Sequence, residues 1–331
     1  MKKTISVLLL ICILSLCLAS CGGNKTDVDI TPPDTSSNNQ LEQETHTPYD
    51  AFVFYQQSSD TYVVGIAPEG KYYTEIVIPS TYNGGKVVGI LKEGFKDCEN
   101  LISIKIPTTV TEIKESAFYG CKNMKTIEFS NSVKKIEENA FTNCSRKESV
   151  LFNGTVQDWV KIKFEGSIYA DYFSNDWLLE SNPLCYGADL YFNGELFTTL
   201  DLNNTPWLSE YEIGKYFSWC TSLENVVISE SATSIRELSF YSCKSLEYVL
   251  ISDTVKSIES CAFSECGSLK NITIPKSVTT IERNAFSYCS SLKTITYEGT
   301  KSEWNAINKE LDWDVGIRNY TINCSDGTIT K

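Results

Sequence analysis

The chain has 331 residues, 42% of them hydrophobic and 12% aromatic, so a large buried core is within reach and wholesale disorder is excluded. Its 29 Lys and Arg against 42 Asp and Glu give a net charge of −13, the wrong sign for the basic footprint of a nucleic-acid binder. A single histidine, His46, leaves any mechanism built on a histidine base, a triad or a His-ligated metal short of parts.

The first twenty residues have a basic start at Lys2 and Lys3, an apolar run from Ile5 to Leu18, and small residues Ala19 and Ser20. That is the pattern of a secretory signal, shorter than the ~20 apolar residues of a membrane span. Leu18-Ala19-Ser20-Cys21 also resembles the bacterial lipobox, which implies cleavage before Cys21 and lipidation of its thiol. Loss of Lys2 and Lys3 leaves 27 basic against 42 acidic residues, a net charge of −15. Residues 22–48 are rich in Thr, Asn, Asp, Gln and Pro and read as a flexible stalk that carries His46.

Residues 52–66, FVFYQQSSDTYVVGI, alternate around an Asp-containing turn and predict a hairpin that caps an open sheet edge. Beyond it the chain repeats itself every 23 residues. LISIKIPTTVTEIKESAFYGCKN starts at Leu101 and a second unit at Met124; three more start at Leu223, Leu246 and Leu269. Looser units end at Cys98 and Cys220. Within a unit, positions four and six are apolar and alternate with polar neighbours, the signature of a short half-buried strand. A turn follows, then apolar positions ten and thirteen. The closing small residue, Phe, two variable residues and Cys predict one turn of helix packed inward. One unit cannot bury its own apolar face, whereas stacked units share a continuous core. The Phe column (Phe95, Phe118, Phe141, Phe217, Phe240, Phe263 and Phe286) is expected to stack as an internal spine.

Two blocks of units are separated by a segment holding Trp159, Phe164, Tyr169, Tyr172, Phe173 and Trp177. NGTVQDW at 153–159 and EGTKSEW at 298–304 each follow a strand-like run and depart from the repeat where Phe and Cys are due. DLYFNGEL, 189–196, predicts a second hairpin around Asn193-Gly194 that restarts the array. The chain thus divides into a signal peptide (1–20), a stalk (21–48), a capping hairpin (49–72), a first block (73–146), an insertion with its hairpin (147–196), a second block (197–291) and a C-terminal cap (292–331).

The Ile-x-Ile-Pro, Val-x-x-Ile and Ala-Phe-x-x-Cys elements resemble the BspA-like, treponemal-type leucine-rich repeat of bacterial surface proteins, over roughly residues 73–304. The resemblance implies an α/β leucine-rich repeat solenoid: a parallel concave sheet, short helical turns on the other face, and caps built from a hairpin and a Trp-containing segment. It also implies a lipid-anchored, extracytoplasmic protein that adheres to host matrix glycoproteins or to other bacteria and catalyses nothing.

The side chains fit that implication. Cysteines 98, 121, 144, 220, 243, 266 and 289 form one column without the clustered spacing of a metal site, and are expected as buried thiols. Cys185, Cys261 and Cys324 fall outside the column and are the positions for any disulfide. Glu112, Glu138, Glu237 and Glu259 sit at positions that alternate with Lys, Arg or Ser, as a solvated face does. No phosphate-cradling loop or nucleophile elbow is present, and no cofactor or metal is expected. Third and fifth positions of each unit face away from the core, and most are polar. Val227, Tyr248 and Leu250 are apolar neighbours on adjacent units of the second block, a candidate partner-binding patch. The aromatic insertion supports a second reading, an accessory protein that captures glycans, although packing the insertion onto the array explains the same residues.

Overall fold

The structure, a computed structural model, describes residues 46–166, 169–170, 177–178, 180–204 and 216–331, with backbone alone at 169–170, 177–178 and 204. The signal segment, Cys21, the stalk up to residue 45, Tyr172 and Phe173 lie outside the described residues, as do the side chains of Tyr169 and Trp177.

Each 23-residue unit makes one turn of a three-sided solenoid. On the first side short strands pair in parallel from unit to unit: Glu75–Val77, Ser103–Lys105, Thr126–Ser130, Ser149–Asn153 and Asp189–Phe192 form one ladder. Thr199–Asp201, Asn225–Val227 and Tyr248–Leu250 form the next, and Asn271–Ile274, Thr294–Tyr297 and Thr321–Cys324 a third that lies against it. The period-2 alternation does what the sequence requires of it. In Tyr248–Leu250 the middle Val249 is buried and its neighbours are exposed, and Asn271–Ile274 buries Ile272 and Ile274.

The second side is a ladder of two-residue strands: Glu112–Ile113, Lys135–Ile136 and Lys163–Phe164, then Ser234–Ile235, Ser257–Ile258, Thr280–Ile281 and Asn308–Lys309; all but the last bury position thirteen. The third side, expected as one turn of helix, is a pair of linked turns. Ser116, Asn139, Leu238, Cys261 and Asn284 at position sixteen all have positive φ, and so do Gly120, Asn143, Ser242, Glu265 and Tyr288 at position twenty. Left-handed residues spaced four apart cannot continue a helix. They aim alternate amides along the solenoid axis instead. Ser116, Phe118 and Gly120 donate to the carbonyls of Glu138, Ala140 and Thr142 at 2.9–3.0 Å, and Phe240 and Phe263 to those of Ala262 and Ala285.

The core runs the length of the solenoid. Phe95, Phe118 and Phe141 stack at 5.4 and 5.5 Å between ring centroids, and Phe240, Phe263 and Phe286 at 5.5 and 5.4 Å, with interplanar angles of 10–24°. Phe217 stacks on Phe197 at 5.6 Å. Beside the rings, five column thiols donate to the carbonyl of the Phe one unit back: Cys121 to Phe95 (3.1 Å), Cys144 to Phe118 (3.1 Å), Cys243 to Phe217 (3.3 Å), Cys266 to Phe240 (3.2 Å) and Cys289 to Phe263 (3.0 Å).

Cys185 belongs to this column, contrary to the expectation from spacing. It is buried and its thiol points to the Phe141 carbonyl, as Cys144 points to Phe118. Phe141 likewise donates its amide to Glu180 across the insertion. The solenoid therefore closes over the interruption. Cys261 lies off the column because it occupies the left-handed position sixteen. All ten cysteines of the described residues are free thiols, and nine are buried, Cys324 being the half-exposed one. Burial pushes the thiols of Cys185 and Cys289 up to about 12 and that of Cys261 up to about 11. Iodoacetamide should therefore alkylate Cys324 of the native 45–331 unit first and leave the other nine until the chain unfolds. Peptide mass mapping reads this directly, and early labelling of Cys185 or Cys261 would contradict the packing.

The two Trp-containing segments do not stand where Phe and Cys are due. In ordinary units the second strand starts nine residues after the first (Ser103 to Glu112), but in these two it starts fourteen after (Ser149 to Lys163, Thr294 to Asn308). The five extra residues form the short helices Val156–Trp159 and Lys301–Ala306 between the first two sides. Both open with a capping box, Thr155 with Asp158 and Thr300 with Glu303, each side chain satisfying the other's backbone amide. Trp159 and Trp304 are buried and fill the widened turn. At the C-terminal end the Phe place falls to Trp313, which accepts the Phe286 amide and packs edge-on against its ring at 6.1 Å.

Both ends are capped by antiparallel pairs, Phe52–Ser58 with Thr61–Ile66 and Thr321–Cys324 with Gly327–Thr330. Thr47 closes the outer edge of Glu75–Val77. Its amide reaches the Val77 carbonyl at 3.0 Å and its hydroxyl accepts the Val77 amide at 2.9 Å. His46, exposed next to it, leans on Tyr49 at 4.5 Å.

Candidate functional site

Register and alternation together bring the patch residues into contact range. Val227 is the cross-strand partner of Leu250, and Asn225 of Tyr248, while Val226 and Val249 between them point into the core. Partners in neighbouring strands lie about 4.8 Å apart, so Val227, Leu250 and Tyr248 share one surface. Tyr248 is 48% exposed and Leu250 40%, with Val227 half-buried beside them. On the flanking strands Asp201 is the partner of Val227, and Asn271 and Thr273 stand exposed on the side of Tyr248 and Leu250. The patch is thus an apolar island flanked by polar residues on the adjacent strands and held by a rigid scaffold.

The same face carries a second apolar group that the repeat columns did not show. Leu151 is the cross-strand partner of Tyr191, and Tyr191 of Leu196. Leu196 is 45% exposed and the other two are half-buried. Columns read only through units ending in Phe-x-x-Cys pass over these strands. The alternation of Ser149 to Phe152 and of Asp189 to Phe192 was the available signal. Asn193 and Gly194, both at positive φ, make the tight turn that folds Leu196 back beside Tyr191.

The aromatic insertion divides. Trp159 is fully buried among Phe129, Phe152, Phe164 and Phe192, and donates its indole N–H to the Tyr216 carbonyl at 3.2 Å. Phe164 is also in the core. Neither can offer a ring face to a sugar.

The carboxylates largely serve the scaffold. Glu137, Glu259 and Glu282, all at position fourteen, accept the amides of Glu115, Glu237 and Ser260 one unit back at 2.9, 3.3 and 3.0 Å. Glu259 is therefore a structural bracket between units, not one more solvated side chain. Burial raises the Glu137 carboxyl, but Lys135 and the Glu115 amide outweigh it and hold the group below the usual range. Burial, then the neighbouring Glu259 and Glu282, push Glu237 upward. Lys135 lies within 2.7–3.3 Å of Glu112, Glu137 and Glu165. Among the described residues no three His, Cys, Asp or Glu side chains are placed to hold a metal ion. A shallow cleft between Pro68, Lys71, Tyr72, Asp97, Glu99 and Asn100 spends its polar groups internally, Asn100 on the Lys71 carbonyl and Glu99 on Lys122.

One buried cation stands out. Lys147 takes position one of its unit, where Leu101, Met124, Leu246 and Leu269 stand in others, and is 5% exposed. Its ammonium donates to the Cys144 carbonyl at 2.9 Å, meets Cys185 Sγ at 3.7 Å and lies over the rings of Phe141 and Tyr186. It anchors the return of the chain after the insertion.

The profile of the BspA type leucine-rich repeat region matches residues 70–174 and 212–329, in six copies. A leucine-rich repeat protein from Bacteroides ovatus is 20% identical over 85% of this chain and 71% of its own, with a TM-score of 0.52. A leucine-rich repeat protein from T. pallidum is 19% identical over 75% of this chain and 91% of its own, with a TM-score of 0.37. No curated protein matches in sequence.

Proposed function

The chain belongs to the BspA-type leucine-rich repeat family, and from that premise we propose that it is a non-catalytic, protein-binding surface protein whose binding face is the exposed side of the ladder formed by Thr199–Asp201, Asn225–Val227 and Tyr248–Leu250. The observation that carries the reading is the island of exposed Tyr248 and Leu250 with half-buried Val227, centred on an aromatic ring. Isolated apolar residues on strands are common, but three adjacent ones on a rigid sheet resemble the anchor of a protein interface. The lipobox-like Leu18-Ala19-Ser20-Cys21 supports attachment to a bacterial membrane through a lipid on Cys21, with the residues up to 44 as tether. A tethered binding scaffold outside the cell acts as an adhesin toward host matrix glycoproteins or other bacteria.

Residues 45–331 form one compact unit that contains the core described above, so this unit can be tested alone. It should bind one or more immobilised matrix glycoproteins in a manner that free sugars do not compete. Binding only to glycans, displaced by the matching sugar, would reject the protein-binding reading in favour of glycan capture. A missing lipid on Cys21, measured by mass spectrometry after expression with its own signal in a bacterium, would reject the anchor.

A further inference from the structure

Charge around the island is uneven along the solenoid. At position two of the two units that carry it stand Glu224 and Glu247, and at position eight Glu230 and Asp253, all four exposed. The next two units have Lys270 and Lys293 at position two, and the first of them has Lys276 at position eight, all three exposed. The change of sign falls at the boundary of the apolar island. Position two precedes the strand and position eight follows it, so carboxylates frame Val227, Tyr248 and Leu250 at both ends. Asp201 closes the flank as the cross-strand partner of Val227. Lys270 pairs with Glu247 at 3.9 Å with both side chains more than 60% exposed, and a pair that open holds its charges weakly.

Resting on the reading that this face binds protein, we infer that its partner presents an extended segment with an apolar centre and basic side chains on either side. The apolar centre covers Val227 and Leu250. The basic groups meet Glu224 and Glu247 at one end and Glu230 and Asp253 at the other, and a guanidinium can lie on the exposed Tyr248 ring. An extended chain advances about 3.3 Å per residue, so a frame of roughly 20 Å places those basic residues about three positions from the central anchor. Rim charges of this kind select the partner and speed its arrival more than they tighten the final complex.

The test uses synthetic nine-residue peptides and the 45–331 unit, read by fluorescence anisotropy. One peptide has a Val-Leu-Val centre, a Ser on each side and two Arg at each end; a second replaces every Arg with Glu; a third replaces the centre with Ser. The Arg peptide should bind at least about tenfold more tightly than either other, and its affinity should fall as salt rises. Glu224→Lys with Glu247→Lys should remove the preference for Arg over Glu. Leu250→Asp should weaken binding about tenfold, at an exposed position where the thermal midpoint reports intact folding. Equal binding of the Arg and Glu peptides, or an unchanged preference in the double Lys variant, overturns the inference and leaves the protein-binding reading standing. So does peptide silence while glycoprotein binding still depends on Leu250. If glycoprotein binding ignores Leu250→Asp, the placement of the binding face fails, and this inference with it.

Discussion

Phe263→Ala should cost about 3–5 kcal/mol of folding free energy, among the largest losses that a single truncation in this chain can produce. The ring is fully buried and sandwiched between Phe240 and Phe286 at 5.5 and 5.4 Å. Removing it deletes the transfer energy of the side chain and both stacking contacts. The surroundings cannot close the gap. The backbone at this point is pinned to the next unit, with the Phe263 amide on the Ala285 carbonyl at 2.8 Å and the Phe263 carbonyl accepting Cys289 Sγ at 3.0 Å. Guanidinium unfolding of the 45–331 unit measures the loss, and Phe263→Leu, which keeps most of the volume, should lose clearly less. A loss under about 1 kcal/mol for Phe263→Ala would mean that the ring column fills space without supporting the solenoid.

Trp304→Ala should have a similar size of effect but a different reach. Trp304 is 2% exposed, packs edge-on against Tyr297 at 5.3 Å and near Trp313 at 6.1 Å, and carries the Lys309 ammonium over its ring at 4.9 Å. It holds the last full turn closed at a place where five extra residues have widened the loop. In a stacked array each unit touches only its neighbours, so damage to a cap is felt from that end inward. About 3–5 kcal/mol should be lost locally. Hydrogen exchange should accelerate across 294–331 while the Phe95, Phe118 and Phe141 stack keeps its protection. Uniform acceleration over the whole unit would show that the solenoid unfolds as one body.

The parts of the fold that repeat were legible in the sequence, and for a physical reason. A side chain that must stack on its own copy has to recur, so Phe118, Phe141, Cys121 and Cys144 announce themselves by spacing alone. Position sixteen shows the limit. Ser116, Asn139, Leu238, Cys261 and Asn284 have little in common as side chains, yet share one left-handed backbone that the neighbouring unit imposes by pulling on the amides around them. The Glu at position fourteen recurs for a bond to backbone, which no residue pattern records. Counting also fails wherever a loop changes length. Five extra residues displaced Trp159 and Trp304 from their true place between two strands, and the insertion hid Cys185 from its column. Leu151, Tyr191 and Leu196 escaped for the same reason, since their strands lie in units that do not end in Phe-x-x-Cys. Lys147 was overlooked because a lysine in a leucine column looks like the end of the repeat, whereas here its stem fills the core and its ammonium meets a carbonyl, a thiol and two rings.

The proposed binding face rests on two tyrosines being unequal. Tyr248 and Tyr288 are both about half exposed, at 48% and 56%, but Tyr248 stands on the first side of the solenoid within the apolar island and Tyr288 on the linked turns of the third side. The decisive measurement compares Tyr248→Ala and Tyr288→Ala for affinity toward whichever matrix glycoprotein the 45–331 unit binds. The account predicts a loss of about tenfold or more for Tyr248→Ala and no change for Tyr288→Ala. Equal affinities for the two variants, or a loss confined to Tyr288→Ala, would contradict it.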